Sequence, residues 1–234
     1  MRIDMRYVVT SCLFFALTFA ASSASADEIG VEFDLGTTYT SDARYDLIDD
    51  NDYYGDLGAN LSYTSDRLIP ELELLFLYQR AFGDLDANRF SSDLNTEWRQ
   101  RRFMLGADYG PTFFGFLRPS ARAGAGWSMQ TLRMRTTGPE LTDRAHDFVA
   151  FGALGLGARL RIPADEGSAI DSVVLGVQTH YGYMYQTDAT FDQLGADKDA
   201  YPEDDPWTRQ DASIGSLNTS GQFWDMGLSM RLAF

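Results

Sequence analysis

Acid–base or nucleophilic work needs a group that titrates near neutrality, and the chain has two histidines, His146 and His180, for all such purposes. A hydroxyl nucleophile needs a base within hydrogen-bond reach, and His180 is followed by Tyr181 and Gly182 rather than by a hydroxyl. Cys12 is the single cysteine and falls in the N-terminal apolar run, so thiolate catalysis, disulfides and cysteine metal sites are excluded for the remainder. The glycine run Gly152-Ala-Leu-Gly-Leu-Gly157 lies inside a strand pattern and fits no phosphate loop. These residues predict a protein that is not an enzyme, with no catalytic residue, cofactor or metal ligand set.

The charged residues say more than the nucleophiles. Glu32, Asp34, Glu71, Glu73, Asp108 and Asp225 share an alternating face with Arg102, Arg118, Arg122, Arg159, Arg161 and Arg231. Six acids set against six bases read as a buried ion-pair network, because buried charge persists only when it is paired and hydrogen-bonded. A channel for ions through the same residues is the alternative use of that face.

The elements that must hold these charges have a period of two. Apolar residues alternate in eight segments: Val31-Phe33-Leu35, Leu57-Ala59-Leu61, Leu72-Leu74-Phe76, Phe103-Leu105-Ala107, Ala121-Ala123-Ala125, Leu154 to Leu160, Val173-Val177 and Met226 to Leu232. The intervening positions are glycine, polar or ionic, with Leu75, Met104 and Val174 as exceptions. A water-soluble sandwich would show charge on its outward face. Here the second face is glycine-rich, which suits the interior of a narrow barrel. Aromatics close the stripes at two levels, Tyr39, Tyr53, Tyr78, Trp127, Tyr181, Tyr183 and Trp224 at one, Tyr63, Tyr109, Phe116 and Phe234 at the other, as interfacial girdles do. The fold class is all-β, an eight-stranded antiparallel transmembrane up-and-down β-barrel.

The 234 residues divide into a signal peptide, 1–26, and a barrel, 27–234. Arg2 and Arg6 precede the apolar run from Tyr7 to Ala21, and Ala24-Ser25-Ala26 has the small residues of a cleavage site. Val9-Thr10-Ser11-Cys12 loosely fits a lipobox, but most of the apolar run follows that cysteine. No stretch of about 18 apolar residues follows the leader, so the barrel is the spanning form to expect. Short connections (65–70, 110–115, 163–170) alternate with longer ones (41–52, 83–96, 186–220) and an intermediate one (136–143). This is the asymmetry of periplasmic turns and extracellular loops. The middle of the last loop, 190–206, reads as dispensable for folding.

The final segment, Phe223-Trp-Asp-Met-Gly-Leu-Ser-Met-Arg-Leu-Ala-Phe234, resembles the C-terminal signal of outer-membrane barrels, with apolar residues at every second position before a terminal aromatic. The segment Leu117-Arg-Pro-Ser-Ala-Arg-Ala-Gly-Ala-Gly-Trp127 is similar to a proline-then-alternating-glycine strand of the OmpA-like and OmpX-like eight-stranded family. The resemblance implies the fold, the outer membrane of a Gram-negative-type cell, and reading of Phe234 by the barrel-assembly machinery. Lipid A deacylases of this architecture carry a His-x-Ser strand motif, which His180-Tyr181-Gly182 lacks.

The formal charge of −15 resides mainly in the longer connections: −4 in 41–52, −2 in 83–96, −2 in 136–143 and −6 in 186–220. Such acidity excludes nucleic acid as a partner on electrostatic grounds and points to an extracellular partner for the loops. Asp197, Asp199, Glu203, Asp204 and Asp205 lack the spacing of a calcium loop and read as a solvated face. Continuing outward parity above Trp127 gives a separate cluster of cations, Arg133, Arg135, Arg144 and His146. They are expected to meet lipopolysaccharide phosphates, with Asp143 and Asp147 offsetting part of the charge. The functional expectation is a non-enzymatic outer-membrane barrel with a structural or surface-interaction role. A small pore and a lipid A-modifying enzyme are the alternatives.

Overall fold

The computed structural model describes residues 27–40, 53–65, 69, 71–85, 95–135, 141–164, 168–191, 195–196 and 215–234. The leader 1–26 and the acidic positions Asp197, Asp199, Glu203, Asp204 and Asp205 lie outside the described residues. The strands in chain order are β1 (Asp27–Thr40), β2 (Tyr53–Ser65), β3 (Leu72–Leu85), β4 (Asn95–Tyr109), β5 (Leu117–Arg135), β6 (Leu141–Pro163), β7 (Ser172–Gln186), β8 (Ala189–Phe191), β9 (Gly195–Ala196), β10 (Gly215–Leu217) and β11 (Gly221–Ala233).

Eight of these close on themselves. The hydrogen-bonded order β5-β4-β3-β2-β1-β11-β7-β6 is completed by the β5–β6 pairing, and every neighbour pair in the ring is antiparallel. Closure leaves none of the eight as a free edge, so their backbone groups satisfy one another. This is the eight-stranded up-and-down architecture expected from the alternation.

The polarity of the barrel is inverted relative to a water-soluble domain. Trp127 is 71% exposed and Leu154 72%, whereas Arg102 and Asp108 are 0% exposed. Because side chains alternate between the two faces of a strand, each outward apolar residue fixes its neighbour's inward position. Leu75, Met104 and Val174, which break the sequence pattern, follow this parity and are buried inside the barrel.

Two turns at one end use left-handed backbone. Glu71 (φ 63°) precedes β3, where the Leu72 amide donates to the Ile69 carbonyl at 3.0 Å. Phe114 (φ 55°) and Gly115 (φ 76°) turn the chain between β4 and β5. At the other end the strands run further than expected. β3 reaches Leu85 and β4 begins at Asn95, so the connection assigned to 83–96 is shorter than its expected span. β5 and β6 are the longest strands, at 19 and 23 residues, well beyond the roughly 9–11 that cross a bilayer.

The last long connection is also not a plain loop. β8 pairs with β10, and β9 adds to β6 at Leu141 and Thr142. Thr190 and Phe191, within the span expected to be dispensable for folding, belong to β8, and Phe191 is 1% exposed.

Candidate functional site

The interior is built from inward positions of all eight ring strands. Nearest the short-turn end, Glu73 of β3 meets three cations: Arg118 of β5 at 2.9 Å, Arg159 of β6, and Arg231 of β11. Arg118 also lies 3.2 Å from Asp108 of β4 and donates from Nε to the Gly110 carbonyl at 3.0 Å.

A second centre adjoins the first through Asp108. Arg122 of β5 donates from Nη2 to Glu32 Oε1 at 2.9 Å and from Nε to Asp108 Oδ2 at 3.3 Å. Asn60 donates to both Glu32 and Asp34, and Gln178 donates to Glu32. His180 Nδ1 lies 2.8 Å from Asp225 Oδ1, and its Nε2 is 3.8 Å from Asp108. Glycines make room for these large side chains. A Cβ at Gly155 would stand 2.3 Å from the His180 ring, and one at Gly30 would stand 2.6 Å from Arg231 Cγ.

Apolar side chains then interrupt the polar set. Leu75, Leu77, Met104, Val149, Phe151, Ala153, Met184 and Phe223 form one buried cluster. Its place follows from chain position: Met104 stands between Asp108 and Arg102 on β4, Phe223 beyond Asp225 on β11, and Met184 beyond His180 on β7. Phe151 projects over Gly124 of β5, where a Cβ would stand 2.6 Å from its ring.

Beyond this cluster Arg102 donates to Asp56 Oδ1 at 2.9 Å, to the Tyr54 hydroxyl at 2.6 Å and to Gln100 Oε1 at 2.6 Å. Thr38 holds the other Asp56 oxygen at 2.6 Å. Further along lies a second apolar cluster of Tyr54, Ala81, Trp98, Leu132 and Ala145 with Ala189, Phe191 and Leu217 from the paired strands β8 and β10. Trp98 packs edge-on against Tyr54 at 5.1 Å and donates to Gln130 Oε1 at 2.8 Å.

Of the expected interior set, Glu71 and Arg161 lie elsewhere. Glu71 is exposed because its left-handed turn carries it off the strand before inward parity is established. Arg161 is 62% exposed at the strand end and pairs with Glu28. Arg102 joins Asp56 rather than any of the six expected acids. Asp56, Tyr54, Asn60 and Gln178 were not anticipated. The signal was present for all four, since extending the parity of Leu57, Ala59 and Leu61 turns the first three inward and that of Val173 and Val177 turns Gln178 inward.

On the outer wall, Arg133 is opposite Thr142, Arg144 opposite Thr131 and His146 opposite Met129. Arg133 and Arg144 are therefore diagonal rather than direct neighbours. Arg135 ends β5, and its side chain lies outside what is described. Asp147 does not offset this charge. It is buried inside the barrel and accepts from Gln130 Nε2 at 3.3 Å. The alternation also puts Arg80, Arg99 and Arg101 on the outer wall, three cations that the sequence reading passed over. Phe234 follows β11 directly and is half-buried.

The chain matches no protein-family model and no curated protein. Among solved structures it is similar to Neisserial surface protein A, at TM-score 0.46 and 11% identity over 91% of this chain and 100% of that one. It is also similar to Ail, the attachment invasion locus protein of Yersinia pestis, at TM-score 0.42 and 8% identity over 90% and 99%. A major outer membrane protein from Thermus thermophilus gives TM-score 0.42 and 13% identity over 89% and 100%. The closure of this barrel rests on its own strand register, not on these likenesses.

Proposed function

We propose that this chain is a closed, non-enzymatic barrel of a Gram-negative-type outer membrane, which carries its acidic connections outside the cell and conducts neither ions nor solutes. The observation that carries this reading is the inverted polarity of a filled barrel. An apolar outer wall is stable against acyl chains, while the same wall in water would be an aggregation surface. An eight-stranded barrel is just wide enough for its own side chains to fill it. Here those side chains alternate between ion pairs and apolar clusters along the axis. A permeating ion would have to leave a polar layer and cross an apolar one, which favours closure over the pore alternative.

The barrel-assembly machinery, reading the alternating segment that ends at Phe234, is the partner in biogenesis. Outer-membrane lipid is the lasting partner, and a surface ligand of the acidic connections is the third. Reconstitution of the purified barrel into planar bilayers tests closure. The expected result is insertion, seen as heat-modifiable migration, without protein-dependent conductance steps. Stable steps in the folded protein would overturn it in favour of a pore.

A further inference from the structure

On the short-turn side of the apolar cluster around Met104, the interior charges form one connected set. Its acids are Glu32, Asp34, Glu73, Asp108 and Asp225, and its guanidiniums are those of Arg118, Arg122, Arg159 and Arg231. Arg118 joins Glu73 to Asp108, and Arg122 joins Asp108 to Glu32, which shares the Asn60 amide with Asp34. Five carboxylates against four guanidiniums leave one negative charge. Charge held away from water persists only when it is balanced, so the set calls for one more cation.

His180 of β7 stands inside this set, with its side chain 0% exposed. Asp225 of β11 faces Nδ1 at 2.8 Å, and Asp108 of β4 faces Nε2 at 3.8 Å. From β5 the charged neighbour is Arg122, already turned onto Asp108 and Glu32, and from β1 it is Glu32. The position facing the ring from β6 is Gly155, which leaves the imidazole its space. An ionised Asp225 can only accept, so Nδ1 must carry a hydrogen. In a neutral ring Nε2 would then turn a lone pair toward the Asp108 carboxylate, where it has no hydrogen-bond partner. In the imidazolium both nitrogens carry a hydrogen and each faces a carboxylate. A proton placed on Asp225 instead would meet the same geometry, but imidazole is the stronger base.

We infer that His180 is a proton-binding site, holding as imidazolium the cation that completes the interior ion-pair network between Asp225 and Asp108. The filling of the barrel is then neutral on the short-turn side only with this one proton bound. Its loss in alkali leaves a single uncompensated charge among side chains that have no water to turn to.

The test uses the full barrel refolded in phosphatidylcholine vesicles. In H146Q the sole histidine is His180, and solid-state ¹⁵N NMR of the histidine-labelled protein at pH 7.5 should show both ring nitrogens protonated. A neutral ring, with one protonated nitrogen, would overturn the inference. The variant H180Q keeps a donor for Asp225 but no charge, and should lower the folding equilibrium constant in urea by roughly ten- to hundredfold. Adding D34N removes a carboxylate that pairs with no cation among the described residues. H180Q/D34N should therefore recover most of the loss, which a purely steric role for the imidazole does not predict. A double variant no more stable than H180Q would overturn charge balance at this site. Raising the pH from 7.5 to 10 should destabilise H146Q more than H180Q/D34N, because only the former has the proton to lose. Equal losses in the two would overturn the inference, and the NMR arm decides it even if H180Q fails to fold.

Discussion

Replacing Glu73 by glutamine should destabilise the barrel more than any other single removal of charge in its interior. Glu73 is 1% exposed and is the shared anion of Arg118, Arg159 and Arg231. Glutamine keeps the shape but removes the charge. Arg118 retains Asp108 at 3.2 Å, while Arg231 forms no other ion pair among the described residues. Removing one partner of a buried pair costs about 3–5 kcal/mol, because it leaves uncompensated charge away from water. That range corresponds to roughly two to four powers of ten in the folding equilibrium. Urea unfolding of the vesicle-reconstituted protein, followed by gel migration and tryptophan fluorescence, measures it. Removing a cation as well, in E73Q/R231M, should recover part of the loss, since methionine fills similar volume without charge. A change below about 1 kcal/mol for E73Q, or a double variant less stable than the single, would refute Glu73 as the neutralising centre.

Gly155→Ala sets a Cβ against the His180 ring, 2.3 Å away, and should cost about 1–3 kcal/mol of stability by overpacking. The His180 imidazole resonances, followed by NMR, should shift as the contact with Asp225 is lost. Phe191→Ala should raise amide hydrogen exchange in β8 and β10, with a local cost of about 3–5 kcal/mol as for other buried phenylalanines. Replacing 197–206 by a Gly/Ser segment should leave both the exchange pattern and the barrel unchanged, since neither β8 nor β10 is touched. Deleting Phe234 should reduce membrane assembly in cells far more than it changes the refolded barrel in vitro, where one aromatic contributes only about 1.5–3 kcal/mol. Normal insertion of the truncated chain in cells would sink the assembly-signal reading.

The period-two pattern was enough to give the strand number, the closed topology and most inward positions. Alternation is a local property, and one apolar outward residue fixes the direction of its neighbours on the same strand. Glu32, Asp34, Glu73, Asp108, Asp225 and four of the arginines could therefore be assigned to one network from the chain alone. Glu71 could not, because its left-handed turn ends the alternation one residue before the strand begins.

Who pairs with whom was decided by the tertiary structure. Glu73 and Arg231 are separated by 158 positions and meet only because the ring closes between β1 and β11. Arg102 took Asp56 across the width of β3, two register positions away, at 2.9 Å. The paired strands β8 and β10 have no strong period of their own. They are held by burial against Tyr54 and Trp98, which approach them only across the finished barrel. The sequence by itself determined which face of each strand is charged, since that depends on neighbours two residues apart. Only closure decided the ion-pair partners and the apolar layers that interrupt them, because each depends on the register of strands distant in the chain.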